Sequence, residues 1–344
     1  MFLKNAWYVA AWDTEVSSDS LLSRRLLGRQ VVLFRDDDGR VAALEDRCCH
    51  RWAPLSQGQR EGSSIRCMYH GLRFDGTGKC VEVPGQERIS ERLCVKSFPV
   101  VERDHFIWIW MGDGKPTDVS EIHSAAFHNE NQPGWLPTRG KYIHYQAAAE
   151  LIADNLLDFS HLAFVHNRTI GTRAQANVRA EVEALENALS IRYVTLAGPT
   201  APFARAVGRL PEITDRFQYY NWNVKGFFFA QDSVIARPGE GRETSDPAAM
   251  RLRTIIALTP ETESTCHYFW SNTRNDFNPD KPDVTALVID QVSKAFEEDR
   301  EMIEAQQRVI DQDPGSAMLG IPADAALQRA RRMFNELVAA ENAG

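Results

Sequence analysis

Cys48-Cys49-His50 and, after sixteen intervening residues, Cys67-Met68-Tyr69-His70 put two thiols and two imidazoles into one short stretch of chain. Four such donors serve a single centre only if the two segments fold back onto each other. The pair of motifs therefore demands two loops held side by side. Zinc sites of the Cys2His2 kind usually group two Cys in one loop and two His in the other, whereas each loop here contributes one of each. Thiolates hold iron-sulfur clusters, and exchanging two of four for imidazoles on one iron raises the reduction potential. The order Cys-x-His then Cys-x2-His favours a [2Fe-2S] cluster on Cys48, His50, Cys67 and His70.

The rest of the chain must then be compatible with a reducing compartment. Six cysteines in 344 residues, four of them between positions 48 and 80, are too few and too clustered for a secreted disulfide framework. Cys49 reads as a bystander, and Cys80, Cys94 and Cys266 as small buried hydrophobes. The net charge of -8 is spread along the chain and argues against a polyanionic partner such as nucleic acid. No apolar stretch approaches a membrane span, and a cytoplasmic location is expected.

This length exceeds the usual single core, so two domains are expected, 1–115 and 116–344, divided at Gly112-Asp113-Gly114-Lys115-Pro116. Gln30 to Phe34 and Val41 to Leu44 flank Asp36-Asp37-Asp38-Gly39 as a hairpin. Ile65 to Cys67, Arg73 to Phe74 and Phe106 to Met111 continue an all-β pattern with the Cys/His pairs at loop tips. Beyond the boundary, Val178 to Ala184 with Leu189 to Leu196, and Leu252 to Leu258 with Thr265 to Asn272 across residues 259–263, predict an antiparallel sheet. From Asp283 onward the pattern is helical, with Val288, Val292, Phe296, Met302 and Ile303 near one stripe and a final helix after Pro314-Gly315. The second domain is α+β.

A second concentration of chemistry lies at Asp154-Asn155-Leu156-Leu157-Asp158-Phe159-Ser160-His161-Leu162-Ala163-Phe164-Val165-His166, within an apolar helical pattern over Glu150 to Val165. On a regular helix Asp154, Asp158 and His161 share a face. His161 and His166 do not, because five residues turn about 140°. Both reach one metal only if the helix bends, bulges or ends. Two His and one carboxylate form the facial triad of non-haem Fe(II) oxygenases. The acidic segment Glu297-Glu298-Asp299-Arg300-Glu301 could supply the third ligand, and composition does not choose among its members. His105, His123, His128, His144 and His267 read as surface or structural.

These two motifs, in this order, resemble the Rieske non-haem iron oxygenases. Arg51-Trp52-Ala53-Pro54-Leu55, Gly71-Leu72-Arg73-Phe74 and Pro84-Gly85-Gln86 extend the likeness, with Cys49 where Pro is usual and Leu72 where Trp is common. Lys4 to Ala10 and the Leu258 to Thr262 segment place it near the vanillate and dicamba O-demethylase and toluenesulfonate methyl-monooxygenase subgroup. The resemblance implies an N-terminal all-β Rieske domain and a helix-grip-like catalytic domain with an antiparallel sheet and C-terminal helices. It implies Asp299 as third iron ligand beside His161 and His166, with Asn155 near the iron and Asp154 structural. It also implies a homotrimer in which Asp158 links His161 to His70 or His50 of the next subunit.

The activity implied is O2-dependent O-demethylation or methyl hydroxylation of a single-ring aromatic acid. Ring or diaryl-ether dioxygenation is the alternative, and a plain Rieske electron-transfer protein the alternative of another class. The sequence has no G-x-G-x-x-G fingerprint, so NADH would act through a separate flavin and iron-sulfur reductase. Asn221, Trp222 and Arg253, with Phe203, Phe227 to Phe229 and Asn223, are the residues expected to bind substrate. The acid group calls for an Arg or an amide donor.

Overall fold

The computed structural model describes residues 2–123, 133–138 and 140–343, and His128 lies outside them. The chain forms two compact units. Phe2–His123 with Thr259–Thr262 make one, and Ser124–Leu258 with Glu263–Gly344 the other.

The first unit is built from short antiparallel strands. Leu22–Leu26, Arg29–Arg35, Val41–Glu45 and Ser97–Phe98 form one four-stranded sheet, and Gln59–Glu61, Ser64–Arg66, Arg73–Asp75 and Cys80–Glu82 another. A third sheet joins Trp7–Trp12, Phe106–Trp110 and Val100–Arg103. The expected hairpin is present, with Phe34 opposite Ala42 and Arg35 opposite Val41. Val32, Phe34, Leu44, Leu55, Ile65, Leu72 and Phe74 share one core with Cys48, Cys67 and Cys80. Cys94 is exposed, contrary to its reading as a buried hydrophobe. Thr259 to Thr262 belong to this unit by backbone pairing. The Leu27 and Gly28 amides donate to the Pro260 and Glu261 carbonyls at 2.7 and 2.9 Å, and Thr259 Oγ1 donates to the Val9 carbonyl at 2.6 Å.

The second unit carries an eight-stranded antiparallel sheet. Trp135–Pro137 and Lys141–Tyr145 both pair with Thr265–Asn275, followed in order by Met250–Thr262, Phe228–Ala236, Ile213–Asn223, Ala188–Pro199 and Glu181–Ala184. The strand Met250–Thr262 runs through Pro260, where the sequence predicted a turn. Proline lacks a donor, but its carbonyl remains available and is used. Helices α1 (Ala149–Leu157), α2 (Pro202–Val207), α3 (Val284–Gln312) and α4 (Ala325–Ala343) complete the unit. α3 buries Val288, Val292, Phe296, Asp299, Ile303 and Gln307, a run of four- and three-residue steps that marks one helix face. Met302 is off that stripe and exposed. The Phe296 ring meets Trp270 edge-on at 4.8 Å and Tyr268 at 5.5 Å, which seats α3 on the sheet.

The helix expected over Glu150 to Val165 ends at Leu157. Asp158 turns extended (φ -126°, ψ 102°) and its carboxylate accepts from the Ser160 amide at 2.8 Å, capping a 3-10 turn over Phe159–Ala163. A capping carboxylate competes with helix continuation. Asp154, Asp158 and His161 therefore do not share a face: Asp154 accepts from Arg331 Nε of α4 at 2.9 Å.

Candidate metal centres

The two Cys/His loops have the same backbone. The Cys48 amide donates to the Ala53 carbonyl at 2.8 Å and the Trp52 amide to the Cys48 carbonyl at 2.9 Å. The Cys67 amide donates to Leu72 at 2.8 Å and the Gly71 amide to Cys67 at 2.9 Å. In each loop the residue four after Cys is left-handed, Trp52 at φ 60° and Gly71 at φ 78°. Gly71 suits that conformation, and a Cβ there would meet Pro84 Cγ at 2.7 Å. Trp52 adopts it with a side-chain penalty and is stacked under the Arg47 guanidinium at 4.9 Å. Both turns send the sulfur inward and the imidazole outward: Cys48 and Cys67 are buried, while His50 and His70 are exposed with ring centroids 4.6 Å apart. Burial, with a further contribution from Cys67, pushes the Cys48 thiol up to about 11. A metal bound as thiolate would replace that proton. Two sulfurs on one side and two imidazoles on the other fit a cluster whose irons have different ligands.

In the second unit His161, His166 and Asp299 converge, with ligand atoms all within 4.8 Å of one another. His166 Nε2 lies 3.0 Å and His161 Nε2 3.5 Å from the same oxygen, Asp299 Oδ1. The early end of α1 makes this possible, since the 3-10 turn stops at Ala163 and His166 lies beyond it. The Nδ1 atoms are both committed. His161 Nδ1 faces the Asp158 carbonyl at 2.5 Å and His166 Nδ1 faces Glu298 Oε2 at 2.8 Å. Donating from Nδ1 leaves the Nε2 lone pairs for a metal. Thr169 Oγ1 donates to Glu298 at 2.8 Å and Asn155 Nδ2 to Asp299 Oδ1 at 2.9 Å, so both carboxylates are held. Burial lowers the His161 pKa and keeps it neutral. At His166 burial also pulls downward, but Asp299 and Glu298 outweigh it and the net shift is upward. Two imidazoles and one carboxylate, with both Nε2 turned to the same Asp299 oxygen, fit a non-haem iron.

A Rieske [2Fe-2S] domain model matches residues 6–99, and the vanillate O-demethylase oxygenase C-terminal domain matches residues 145–340. The chain belongs to the Rieske non-haem iron oxygenases. It is 43% identical over its whole length, and over 99% of the relative, to a toluene-4-sulfonate monooxygenase system iron-sulfur subunit of Comamonas testosteroni. A vanillate O-demethylase oxygenase subunit of a Pseudomonas species is 35% identical over 99% of this chain and 96% of its own length. A crystal structure of dicamba monooxygenase bound to dicamba superposes with a TM-score of 0.88 at 32% identity, covering 100% of this chain and 99% of that one. The chain is thus an oxidoreductase with the family's two-part fold, and its cofactors are a [2Fe-2S] cluster and a mononuclear iron.

Around the triad the second unit encloses a cavity with about 680 Å³ of non-atom space, its mouth included. Phe159, Phe203, Phe229 and Ile256 give it apolar walls. Asn221, Trp222 and Arg253, the residues expected to bind substrate, do not line it. Side chains alternate across a sheet: Leu252 and Thr254 face the cavity, and Arg253 between them stacks on Trp135 at 3.5 Å. Asn221 is exposed, with the opposite parity to Arg216 and Gln218. Trp222 has the right parity but sits four residues along the strand from Gln218, and it lines a separate cavity with Phe227, Arg331 and Phe334. Asn155 does line the triad cavity. Among the other histidines, His105 Nδ1 pairs with Asp13 at 2.9 Å and His267 Nδ1 with the Tyr142 hydroxyl at 2.8 Å.

The Asp158 carboxylate is not on His161, contrary to the arrangement implied by the resemblance. The backbone carbonyl of the same residue takes that position, because the carboxylate is engaged by the Ser160 amide and hydroxyl, both at 2.8 Å. Sequence reasoning also missed Glu298 as the partner of His166 Nδ1. Its place beside Asp299 was the available signal: the buried stripe of α3 passes through 299, and 298 flanks it.

Proposed function

We propose that this chain is the terminal oxygenase of a multi-component system that demethylates, or hydroxylates a methyl group of, a single-ring aromatic acid. The observation that carries this reading is the His161, His166 and Asp299 set, with both Nε2 atoms directed at one carboxylate oxygen, opening into an apolar-walled cavity. In this reading Cys48, His50, Cys67 and His70 hold the cluster, and His161, His166 and Asp299 hold the iron. Iron so held supplies O2 activation when reduced. The protein's own part is to fix the ligands through Asn155, Glu298, Thr169 and the Asp158 carbonyl, to keep His161 neutral, and to surround the ring with Phe159, Phe203 and Phe229.

Electrons come from NADH through a separate reductase, a reading supported by relatives named as a subunit of a monooxygenase system and as an oxygenase subunit. The working form is a homotrimer, in which the Asp158 carboxylate faces a cluster-holding His of a neighbouring copy while its carbonyl holds His161. The exposure of His50 and His70 supports this role, as does the partial exposure of Asp158. The test is turnover of methyl, methoxy and aryloxy benzoates and sulfonates under 18O2 with a surrogate reductase. One labelled oxygen on a side-chain carbon is the expected result. Two on ring carbons would move the activity to ring dioxygenation, and turnover of no panel member would refute the single-ring aromatic acid as the substrate class.

A further inference from the structure

Arg216 is the cavity wall's unanswered charge. Its strand, Ile213–Asn223, presents Arg216 and Gln218 to the cavity that also contains the triad. Nη1 donates to the Ile170 carbonyl at 2.7 Å, while Nε is buried and has no partner. No carboxylate among the described residues pairs with it. By contrast Arg24, Arg242 and Arg274, with side chains 8, 24 and 7% exposed, each form an ion pair. Burial alone acts on the Arg216 guanidinium and pulls its pKa down to about 10. A guanidinium stays charged at neutral pH even so, and an uncompensated buried charge is costly. The fold tolerates it at a place where a ligand can come to rest.

The neighbouring lining is polar in the same way. Gln218 Oε1 is already taken by Gln175 Nε2 at 3.1 Å, which leaves its amide N-H groups as donors. Ser233 stands opposite Gln218 in the sheet register and lines the same cavity. Apolar side chains cover the rest, including Leu156, Phe203 and Ile256. This asymmetry, a cation and donors at one wall and hydrocarbon at the others, matches an aromatic ring bearing an oxyanion.

We infer that Arg216 is the anion-recognising residue of this oxygenase, binding the carboxylate or sulfonate of the aromatic acid with help from Gln218. The inference rests on the proposed function for the identity of the reaction, but the binding claim stands on the cavity itself. Arg216 touches the substrate's acid group and not the reacting carbon, so it acts on affinity and selectivity.

The test uses the full-length iron-loaded protein and matched ligands: 4-toluenesulfonate against 4-methylphenyl methyl sulfone, and 4-methoxybenzoate against its methyl ester. Affinity is read by calorimetry and by ligand-induced thermal shift, and turnover as separate kcat and KM. Arg216→Met is expected to weaken binding of the acids by about 10- to 100-fold, the range for a hydrogen-bonded charge. Binding of the neutral analogues should change by less than about threefold, the KM for acids should rise, and kcat should stay near wild type. Arg216→Lys should restore part of the acid affinity. Without ligand, Arg216→Met should melt no lower than wild type, since an unpaired buried charge has been removed. Equal losses for acids and neutrals would mean that Arg216 only braces Ile170, and no loss for acids would overturn the inference outright. If the wild type demethylates or hydroxylates the aromatic acids but Arg216→Met binds them as tightly as wild type, this inference fails and the function stands. If it binds acids through Arg216 yet oxidises none, the function fails and this inference stands.

Discussion

The two metal centres are built on opposite plans. In the first unit the donors sit at the tips of two identical turns, with both imidazoles open to solvent. In the second the donors are gathered from a 3-10 turn, the loop after it and a 29-residue helix, and His166 is only 1% exposed. Exposed ligands suit a centre that passes electrons to another molecule, because transfer needs close approach. Buried ligands with every Nδ1 tied suit a centre that must hold an open coordination position in a fixed, dry geometry. The contrast is one of support: the first site is positioned by backbone, the second mostly by side chains, with the Asp158 carbonyl on His161.

The largest effects should separate the two plans cleanly. His161→Ala and Asp299→Ala are expected to lower iron from about three atoms per chain to about two, to abolish oxygenation, and to leave the visible spectrum of the cluster unchanged. Bleaching of that spectrum by either variant would show that the sites are not independent. Next, Asp158→Asn should keep both centres filled, because Asn can still cap the Ser160 amide. Its turnover should nevertheless fall by two orders of magnitude or more, on the order of what loss of a required charge costs at about 1.4 kcal/mol per tenfold. Substantial turnover in this variant would remove Asp158 from the electron route.

Glu298→Gln, which weakens the anchor on His166 Nδ1, is expected to lower iron affinity by about 10- to 100-fold without affecting the cluster. Competition with a chelator reads this directly. The Asp154 to Arg331 pair tests support away from both metals. Burial raises the Asp154 carboxyl and Arg331 partly offsets this. Arg331→Met should therefore cost roughly 1–3 kcal/mol at pH 7. A raised carboxyl pKa means that the folded state holds the proton more tightly, so the penalty should shrink as pH falls through that pKa. Urea midpoints at neutral and acidic pH measure it. Smallest of all, Cys49→Ser should leave cluster content and turnover within about twofold, since such partly buried positions away from named mechanisms change little.

The same contrast explains what could be read from the chain. The Cys/His loops were legible because all four donors and the turns that hold them lie between positions 48 and 72. The triad was legible only in part. The two His stand in one string, but their convergence depends on Asp158 ending α1, where a local cap defeats an apolar helical pattern. Asp299 could have been chosen without any resemblance, since it alone of its acidic neighbours falls on the stripe through Val292, Phe296 and Ile303. Asn221, Trp222 and Arg253 could not have been sorted from Arg216 and Gln218 in that way. Which parity of a strand faces inward, and which stretch of it meets the cavity, follow from pairing register and from the helix laid across the sheet.

The four residues Thr259 to Thr262 bear on how such proteins can be recombined. A chimera that exchanges only the N-terminal segment would present the Leu27 and Gly28 amides and the Val9 carbonyl to a foreign strand tip. The transplantable module is discontinuous, and a working graft has to carry a few residues from far along the chain.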